Sequence, residues 1–379
     1  MGRRLRVALI LGSLAVPLAG SAQQTPTFRS GVEYVEVDAI VTDGAGQFVR
    51  DLTKDDFQVL EDGKSQTISD FTLIDIPVER FDKPLYAPQP IEPDVRSNDR
   101  PFDGRVYVML IDDLHIAFGS TARVKAAARL FIQQRLGAND VMAVLHTAGG
   151  DRTSQEFTNS KRRLLAAVDG TQGRALATTT SNRTVQYRRT AGDSADDPED
   201  AERARNAQTS LGLLREVADW FQTVRGRRKA ILFVSEGIDY DISQVIGSGS
   251  GSGLGPLYSG AVLDATREAV DAAMRSNVSI FGIDPQGLVV PDTDVTITDP
   301  VFSPASYATD ARLSADSLKT LSDETGGFAT VGRNDLAGAF DRIVADNSSY
   351  YVLAYYPLSD RRDGRFHKFD VRVNRPGLT

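Results

Sequence analysis

The sequence predicts an α/β protein with a doubly wound, mostly parallel sheet and a separate, smaller β-sheet unit. Two patterns lead to this fold class. From Arg105 to about residue 347, fully apolar runs alternate with segments of helical spacing, which is typical of right-handed βαβ units. Before residue 77 and after residue 347, apolar and polar residues alternate between tight turns, which indicates strands without helices.

The small β unit is predicted over residues 23–76. Apolar residues alternate over 35–41, and the Asp43-Gly44 pair that follows favours a hairpin turn. Two more strands are predicted over 57–60 and 67–76, and we expect the three to form one sheet. Residues 77–100 are rich in proline and lack apolar periodicity, so they are predicted to be an extended linker.

The α/β domain is predicted over residues 101–347. Its strands are predicted over 106–111, 141–145, 155–158 (a short edge strand), 230–234, 278–283 and 328–331. Its helices are predicted over 122–136, 161–168, 201–224, 261–275, 315–324 and 336–345.

The C-terminal residues 348–379 are predicted to form a β-hairpin. Residues 350–356 and 369–373 have strand patterns, and a polar turn with Asp363-Gly364 lies between them. A hairpin of this size does not fold alone, so we expect it to complete the N-terminal sheet. The alternative is that it extends the edge of the α/β sheet.

The first 22 residues have the pattern of a secretory signal peptide that is cleaved after Ala22. Arginines at the start precede an apolar run over 7–19, and small residues follow. A membrane anchor, the alternative, requires a longer run, and no other stretch is predicted to span a membrane. The chain of 379 residues has a formal charge of −8, which argues against nucleic acid as a partner. It contains no cysteine, which excludes disulfides and zinc-thiolate sites.

Two long loops, 236–259 and 284–312, directly follow predicted strands. They therefore lie at the carboxyl edge of the sheet, where open α/β sheets bind ligands. We interpret residues 241–258 and 285–310 as a recognition surface, because loops often carry function. The alternative is neutral insertion, which the low-complexity run 247–253 would fit.

The order of several short motifs resembles a known family. The opening motifs are Val35-Glu36-Val37-Asp38, Leu52-Thr53-Lys54-Asp55-Asp56-Phe57 and Glu61-Asp62-Gly63-Lys64. The closing motifs are Gly226-Arg227-Arg228-Lys229, Glu324-Thr325-Gly326-Gly327 and Tyr350-Tyr351-Val352-Leu353-Ala354-Tyr355-Tyr356-Pro357. Together they resemble the exported, acidobacterial type of von Willebrand factor A-related protein. The resemblance implies a von Willebrand factor A fold, which is Rossmann-like, and a role in adhesion or protein binding.

The resemblance also implies a divalent-cation site at the carboxyl edge, and this sequence departs from its pattern. Asp112 matches the first ligand of Asp-x-Ser-x-Ser, but Leu114 and Ile116 replace the two serines. Glu236 stands where an aspartate is usual, and the expected threonine is one of residues 178–180. We predict a degenerate site for Mg²⁺ or Mn²⁺ formed by Asp112, Asp113 and Glu236. The alternative is that these carboxylates are solvated or paired with arginines.

Two histidines provide a rival interpretation. His115 and His146 follow strand ends near the same carboxylates, and a mixed site for Zn²⁺ or Fe²⁺ would make the protein a hydrolytic metalloenzyme. His367 has no obvious partner. Signatures of enzymes are missing, because Phe233 replaces the first glycine of Gly-x-Ser-x-Gly and no phosphate-binding loop is present.

The sequence therefore predicts an exported, non-enzymatic binding or adhesion module. Its predicted partner is a protein or the cell envelope, and the module is expected to bind this partner at the carboxyl edge of the sheet. The residues predicted to contact it directly are His115, Asp239 and Asp284.

Overall fold

The computed structural model describes residues 35–77, 104–149, 154–176, 200–224, 228–238, 240, 242, 258–287, 304–357 and 369–378. The predicted signal peptide, nearly all of the predicted linker and the low-complexity run 247–253 lie outside these ranges. Within the ranges, no helix combines the length and the apolar character that crossing a membrane requires.

The α/β part is built on a six-stranded sheet of described residues. Its strands are β5 (Val106–Ile111), β6 (Val141–His146), β7 (Gln155–Thr158), β8 (Lys229–Val234), β9 (Val278–Ile283) and β10 (Ala329–Thr330). They lie in the order β10-β9-β8-β5-β6-β7, and only β7 runs antiparallel to its neighbour. The central strands β5, β8 and β9 are buried along their whole length, because helices cover both faces of the sheet. The predicted α/β class with a mostly parallel sheet is confirmed.

Helices pack on both faces of this sheet. They are α1 (Thr121–Gln134), α2 (Lys161–Asp169), α3 (Asp200–Phe221), α4 (Ser259–Arg275), α5 (Pro304–Asp323) and α6 (Leu336–Asp346). Buried side chains of α1, α2 and α6 form one apolar cluster with the sheet, and those of α3, α4 and α5 form another. The predicted start of α5 at Ala315 is wrong, because the helix begins at Pro304. Proline fits the first turn of a helix, where its missing N–H is not needed. Residues 304–310 of the predicted recognition loop are therefore helical.

The remaining strands form two three-stranded sheets. They are β1 (Val35–Ala39), β2 (Phe57–Glu61), β3 (Lys64–Gln66), β4 (Ile68–Asp75), β11 (Ser349–Tyr355) and β12 (Phe369–Val373). One sheet has the order β1-β11-β4 and the other has the order β12-β2-β3. We call the two sheets together the β unit, and a single apolar cluster fills the space between them.

Tyr351 of β11 lies in the centre of the β unit. Its ring centroid is 5.4 Å from that of Phe48, 5.2 Å from that of Phe57 and 5.3 Å from that of Phe71. Its hydroxyl donates a hydrogen bond of 2.8 Å to the carbonyl of Val49. This arrangement buries a large aromatic side chain and still provides its polar atom with a partner.

Two predictions about strand pairing are wrong. Residues 348–379 do not form a hairpin, because β11 has β1 on one edge and β4 on the other, and β12 pairs with β2. The N-terminal strands do not share one sheet either, since β2 and β3 lie in the second sheet. The alternative of an extended α/β edge is likewise not observed, because β11 and β12 pair with β1, β4 and β2.

The β unit contacts the α/β domain where strands β5 and β8 begin. Arg105 precedes β5 and donates from Nη1 to the hydroxyl of Ser348 at 2.7 Å. Arg228 precedes β8, forms a partly buried ion pair with Asp38 of β1, and lies 5.0 Å from the ring centroid of Tyr350. The β unit is therefore attached at the amino end of these strands, away from their carboxyl ends.

Candidate functional site

The strand order places a crevice at the carboxyl end of the sheet. Counted along the chain, the six strands have the order 3-2-1-4-5-6 of a doubly wound fold, in which connections leave the first strand in opposite directions. Here the switch lies between β5 and β8. Such a switch point is where open α/β sheets bind ligands. Asp112 directly follows β5, and Ser235 directly follows β8.

Asp112 is fully buried and is surrounded by hydrogen-bond donors. His115 Nδ1 lies 3.0 Å from Asp112 Oδ1 and 2.9 Å from Oδ2. The hydroxyl of Ser210 donates to Oδ1 at 2.6 Å, and the hydroxyl of Ser235 donates to Oδ2 at 2.8 Å. The hydroxyl of Thr147 lies 2.9 Å from Asp112 Oδ1 and 3.1 Å from Asp113 Oδ1, and its single proton is donated to one of them at a time. We call Asp112, His115, Thr147, Ser210 and Ser235 the Asp112 cluster.

The Asp112 cluster keeps this carboxylate ionised. Burial alone would raise the pKa of Asp112, but the interaction with His115 and the hydroxyl donors Ser210 and Ser235 outweigh burial, and the pKa lies below its ordinary value. An ionised carboxylate only accepts hydrogen bonds, so His115 Nδ1 must carry the proton that it directs at Asp112.

The residues present do not fit a divalent cation at Asp112. A carboxylate offers about four lone-pair sites, and four donors lie within hydrogen-bond distance of this one. A cation would therefore have to displace donors that are already in place. Ile116, at the position of a ligand serine, is buried in an apolar cluster. The geometry thus gives the predicted Mg²⁺ or Mn²⁺ site no support.

Asp113 and Glu236, the other predicted metal ligands, contact backbone N–H groups. Asp113 Oδ1 accepts from the amide of Ala148 at 2.8 Å, and Glu236 Oε2 accepts from the amide of Ala117 at 3.1 Å. Glu236 Oε1 is buried without a hydrogen-bond partner among the described residues. The part of the chain that the structure describes contains no group of three or more His, Cys, Asp or Glu side chains able to hold a metal ion.

The two histidines contact different groups. His146 is buried, and its Nε2 lies 2.9 Å from the hydroxyl of Thr171. Burial lowers the pKa of His146, partly offset by the charge of Asp113. His115 is directed at Asp112 instead, so the described residues do not assemble the mixed metal site of the rival interpretation. Asp239, residues 178–180 and His367 lie outside the described residues.

Asp284 follows β9 at the same edge and is 7% exposed. Its Oδ1 accepts from the amide of Gln286 at 2.9 Å. Burial raises its pKa to about 6, against the effect of backbone N–H groups of Gln286 and Gly332, and the charge of Glu236 raises it further. A residue buried to this extent offers a partner little contact area, so its predicted direct role in binding stays a prediction.

We expect Asp284→Asn to stabilise the protein at pH 7 by roughly 2–3 kcal/mol. The folded pKa is above the unfolded value, so the folded state binds the proton more tightly and stability increases as pH falls from about 6 towards 4. Asparagine removes the charge and this dependence. Urea unfolding at pH 4, 5, 6 and 7 measures the free energy of unfolding of both proteins. Identical pH profiles for the two proteins would contradict a raised pKa of Asp284.

Phe118 is a surface residue that sequence reasoning missed. It lies in a short 3₁₀ turn (Phe118–Ser120) before α1, and it is 70% exposed. The segment that leads to it is fixed from two sides. Glu236 accepts from the amide of Ala117, and the amide of Ala175 donates to the carbonyl of Ile116 at 3.0 Å. The sequence contained one indication of this exposure. Phe118 is an apolar residue that follows a strand end, precedes Gly119-Ser120 and belongs to no helical pattern.

Gly173 allows the two segments to approach. A Cβ at this position would lie 2.4 Å from the carbonyl oxygen of Ile116 and 2.6 Å from that of Ala117. Only glycine lets the backbone come this close. The amide of Gly173 donates to the hydroxyl of Thr121 at 3.1 Å, which also excludes proline at this position. The exposed ring of Phe118 is therefore carried by a firmly held loop.

The chain matches no protein-family model and no curated protein sequence. Among solved structures, it is similar to the three N-terminal domains of the type V pili tip protein Mfa5 from Porphyromonas gingivalis, with 14% identity and a TM-score of 0.37 over 65% of this chain. It covers 49% of that structure, about half its length. The vWF domain of the same protein has 14% identity and a TM-score of 0.33, with coverage of 64% of this chain and 94% of that one.

Proposed function

We propose that the protein is an exported binding module with a von Willebrand factor A-like domain. It recognises a protein or another component of the cell envelope through the carboxyl edge of its α/β sheet. The observation that carries this proposal is Phe118, an aromatic side chain that is 70% exposed on a firmly held loop beside the switch point. The sequence resemblance to exported von Willebrand factor A-related proteins and the signal-peptide pattern of residues 1–22 support the same function.

The chemistry of the switch point favours binding over catalysis. A catalytic nucleophile or base must reach a substrate, but Asp112, Ser210 and Ser235 are each 0% exposed. Their hydrogen-bonding atoms are directed at one another. The hydrolytic alternative also lacks a metal-ligand set among the described residues.

Phe118 is suited to anchor a partner. An aromatic ring buries a large apolar area and loses little conformational entropy, and such residues often dominate the energy of an interface. The loop is ordered before binding, so little further entropy is lost when a partner docks.

The formal charge of −8 disfavours nucleic acid and anionic membrane surfaces as the partner.

We expect Phe118→Ala to weaken binding to the envelope fraction of the producing organism roughly 10- to 30-fold. The side chain is exposed, so the melting temperature should stay within about 1 °C of the wild-type value. Sedimentation of the purified protein with washed envelopes, over a range of protein concentrations, measures the affinity.

Tyr356→Ala is the matched control, because Tyr356 is 53% exposed and directly follows β11 of the β unit, which is attached at the amino end of β5 and β8. It should bind as the wild type does. Equal losses in the two variants would contradict a specific role for the carboxyl edge, and unchanged binding of Phe118→Ala would exclude Phe118 as the anchor.

A further inference from the structure

The Asp112 cluster indicates how the carboxyl edge works without a metal. We propose that His115, together with the hydroxyls of Thr147, Ser210 and Ser235, takes the place of a divalent cation beside Asp112, so that partner binding at this edge is independent of divalent cations. Cation-independent partner binding rests on the proposed function. The replacement of the cation by His115 and the three hydroxyls does not.

His115 lies against both oxygens of Asp112. Its Nδ1 lies nearly equidistant from the two oxygens of Asp112, at 3.0 Å and 2.9 Å. A cation held by this carboxylate would have to displace the imidazole from it. The imidazole thus directs a positively polarised N–H to the place where the resemblance predicts Mg²⁺ or Mn²⁺.

The three hydroxyls of the Asp112 cluster come from different parts of the fold. Thr147 follows β6, Ser210 lies within α3 and Ser235 follows β8, so three separate elements converge on one carboxylate. These oxygens are also potential ligands for a hard cation, but only if His115 left its position. Asp112, Ser210 and Ser235 are each 0% exposed, so a hydrated cation would have to open the packing of these described residues to bind the carboxylate.

The Asp112 cluster also holds the start of the loop that carries Phe118. The amide of Asp112 donates to the carbonyl of Val234 at 2.9 Å, and the amide of His115 donates to the carbonyl of Asp112 at 3.0 Å. The cluster therefore fixes the start of the segment that ends at Phe118. In a metal-dependent site a cation would organise this edge, whereas here internal hydrogen bonds already do so.

The direct test is a thermal melt of the purified protein in EDTA and in 10 mM MgCl₂, MnCl₂ or CaCl₂. At a concentration one hundred times its Kd, a cation that binds only the folded state would raise Tm by roughly 5–10 °C. We expect changes below about 1 °C. A larger rise that is lost in Asp112→Asn would overturn the proposal.

A second measurement covers the case in which Asp112→Asn does not fold. The chain contains three histidines, so their ring signals are readily assigned in NMR spectra of the wild-type protein. Paramagnetic Mn²⁺ should leave the signals of His115 unbroadened at concentrations that do not affect the whole spectrum. Selective broadening of His115 would place a cation at Asp112 and overturn the proposal.

The envelope assay separates this inference from the proposed function. Binding that Phe118→Ala weakens, but that EDTA leaves unchanged, would support both proposals. Binding that EDTA abolishes and Mg²⁺ restores would overturn cation independence while leaving the binding module intact. Absence of any envelope binding would contradict the proposed function, and the melts and NMR spectra would still decide whether a cation binds at Asp112.

Discussion

Replacing Asp140 by alanine should lower the free energy of unfolding by about 3–5 kcal/mol. Asp140 is 1% exposed and accepts hydrogen bonds from four N–H groups. Three of these belong to Arg105, at 2.9 Å (backbone amide), 3.0 Å (Nε) and 2.9 Å (Nη2), and the fourth is the amide of Gly137 at 2.8 Å. Without the carboxylate, the guanidinium of Arg105 remains buried without its counter-charge, which is the costly way to break an ion pair.

Urea unfolding followed by circular dichroism measures this effect. The matched control is Asp316→Ala, which removes an exposed ion pair with Lys319 within α5 and should change stability by no more than about 0.5 kcal/mol. The double replacement Arg105→Met with Asp140→Leu should be less harmful than Asp140→Ala, because no charge is left buried. A loss below about 1 kcal/mol in Asp140→Ala would show that the pair is not buried as described.

Replacing Asp112 by alanine should have the next largest effect, a loss of about 3–4 kcal/mol. The substitution leaves His115, Ser210 and Ser235 without the acceptor that they share, and these three side chains are largely shielded from water. Thr147 keeps an acceptor, because its hydroxyl lies 3.1 Å from Asp113 Oδ1. Each buried donor that loses its partner costs about 1–3 kcal/mol, and some donors will find other acceptors. Urea unfolding again measures the change.

Ser210→Ala provides the comparison, because it removes one donor and leaves the carboxylate with the others. We expect a loss of about 1 kcal/mol. If Asp112→Ala were no more harmful than Ser210→Ala, the donors would not depend on Asp112, and the Asp112 cluster would not organise the carboxyl edge.

Strands and helices of the α/β domain were predictable because burial leaves a periodic signal. Strand β5 is an uninterrupted apolar run, and all of its residues are buried.

Strand pairing in the β unit was not predictable in this way. Alternation identifies a segment as a strand, but it does not say whether the partner of β11 is its chain neighbour β12 or the distant β1 and β4.

The candidate site was predictable only in part. The carboxyl ends of parallel strands meet at one edge, so Asp112, Glu236 and Asp284 could be assigned to that edge from the sequence. Ser210 could not be assigned to it, because it lies within α3, 98 residues from Asp112, and only the packing of that helix brings its hydroxyl to the carboxylate. The exposure of Phe118 likewise depends on tertiary contacts that periodicity does not encode.

The position of β11 between β1 and β4 makes one sheet of the β unit depend on a strand that is synthesised late. Ser349 of β11 pairs with Asp75 of β4, 274 residues earlier in the chain. Strands β1 and β4 are therefore synthesised long before β11. Neither strand can form its hydrogen bonds with β11 until β11 has been synthesised. Closing so large a loop is slow when the intervening chain is unfolded. Prior folding of the α/β domain shortens that search, because β5 begins and α6 ends close together at Arg105 and Ser348.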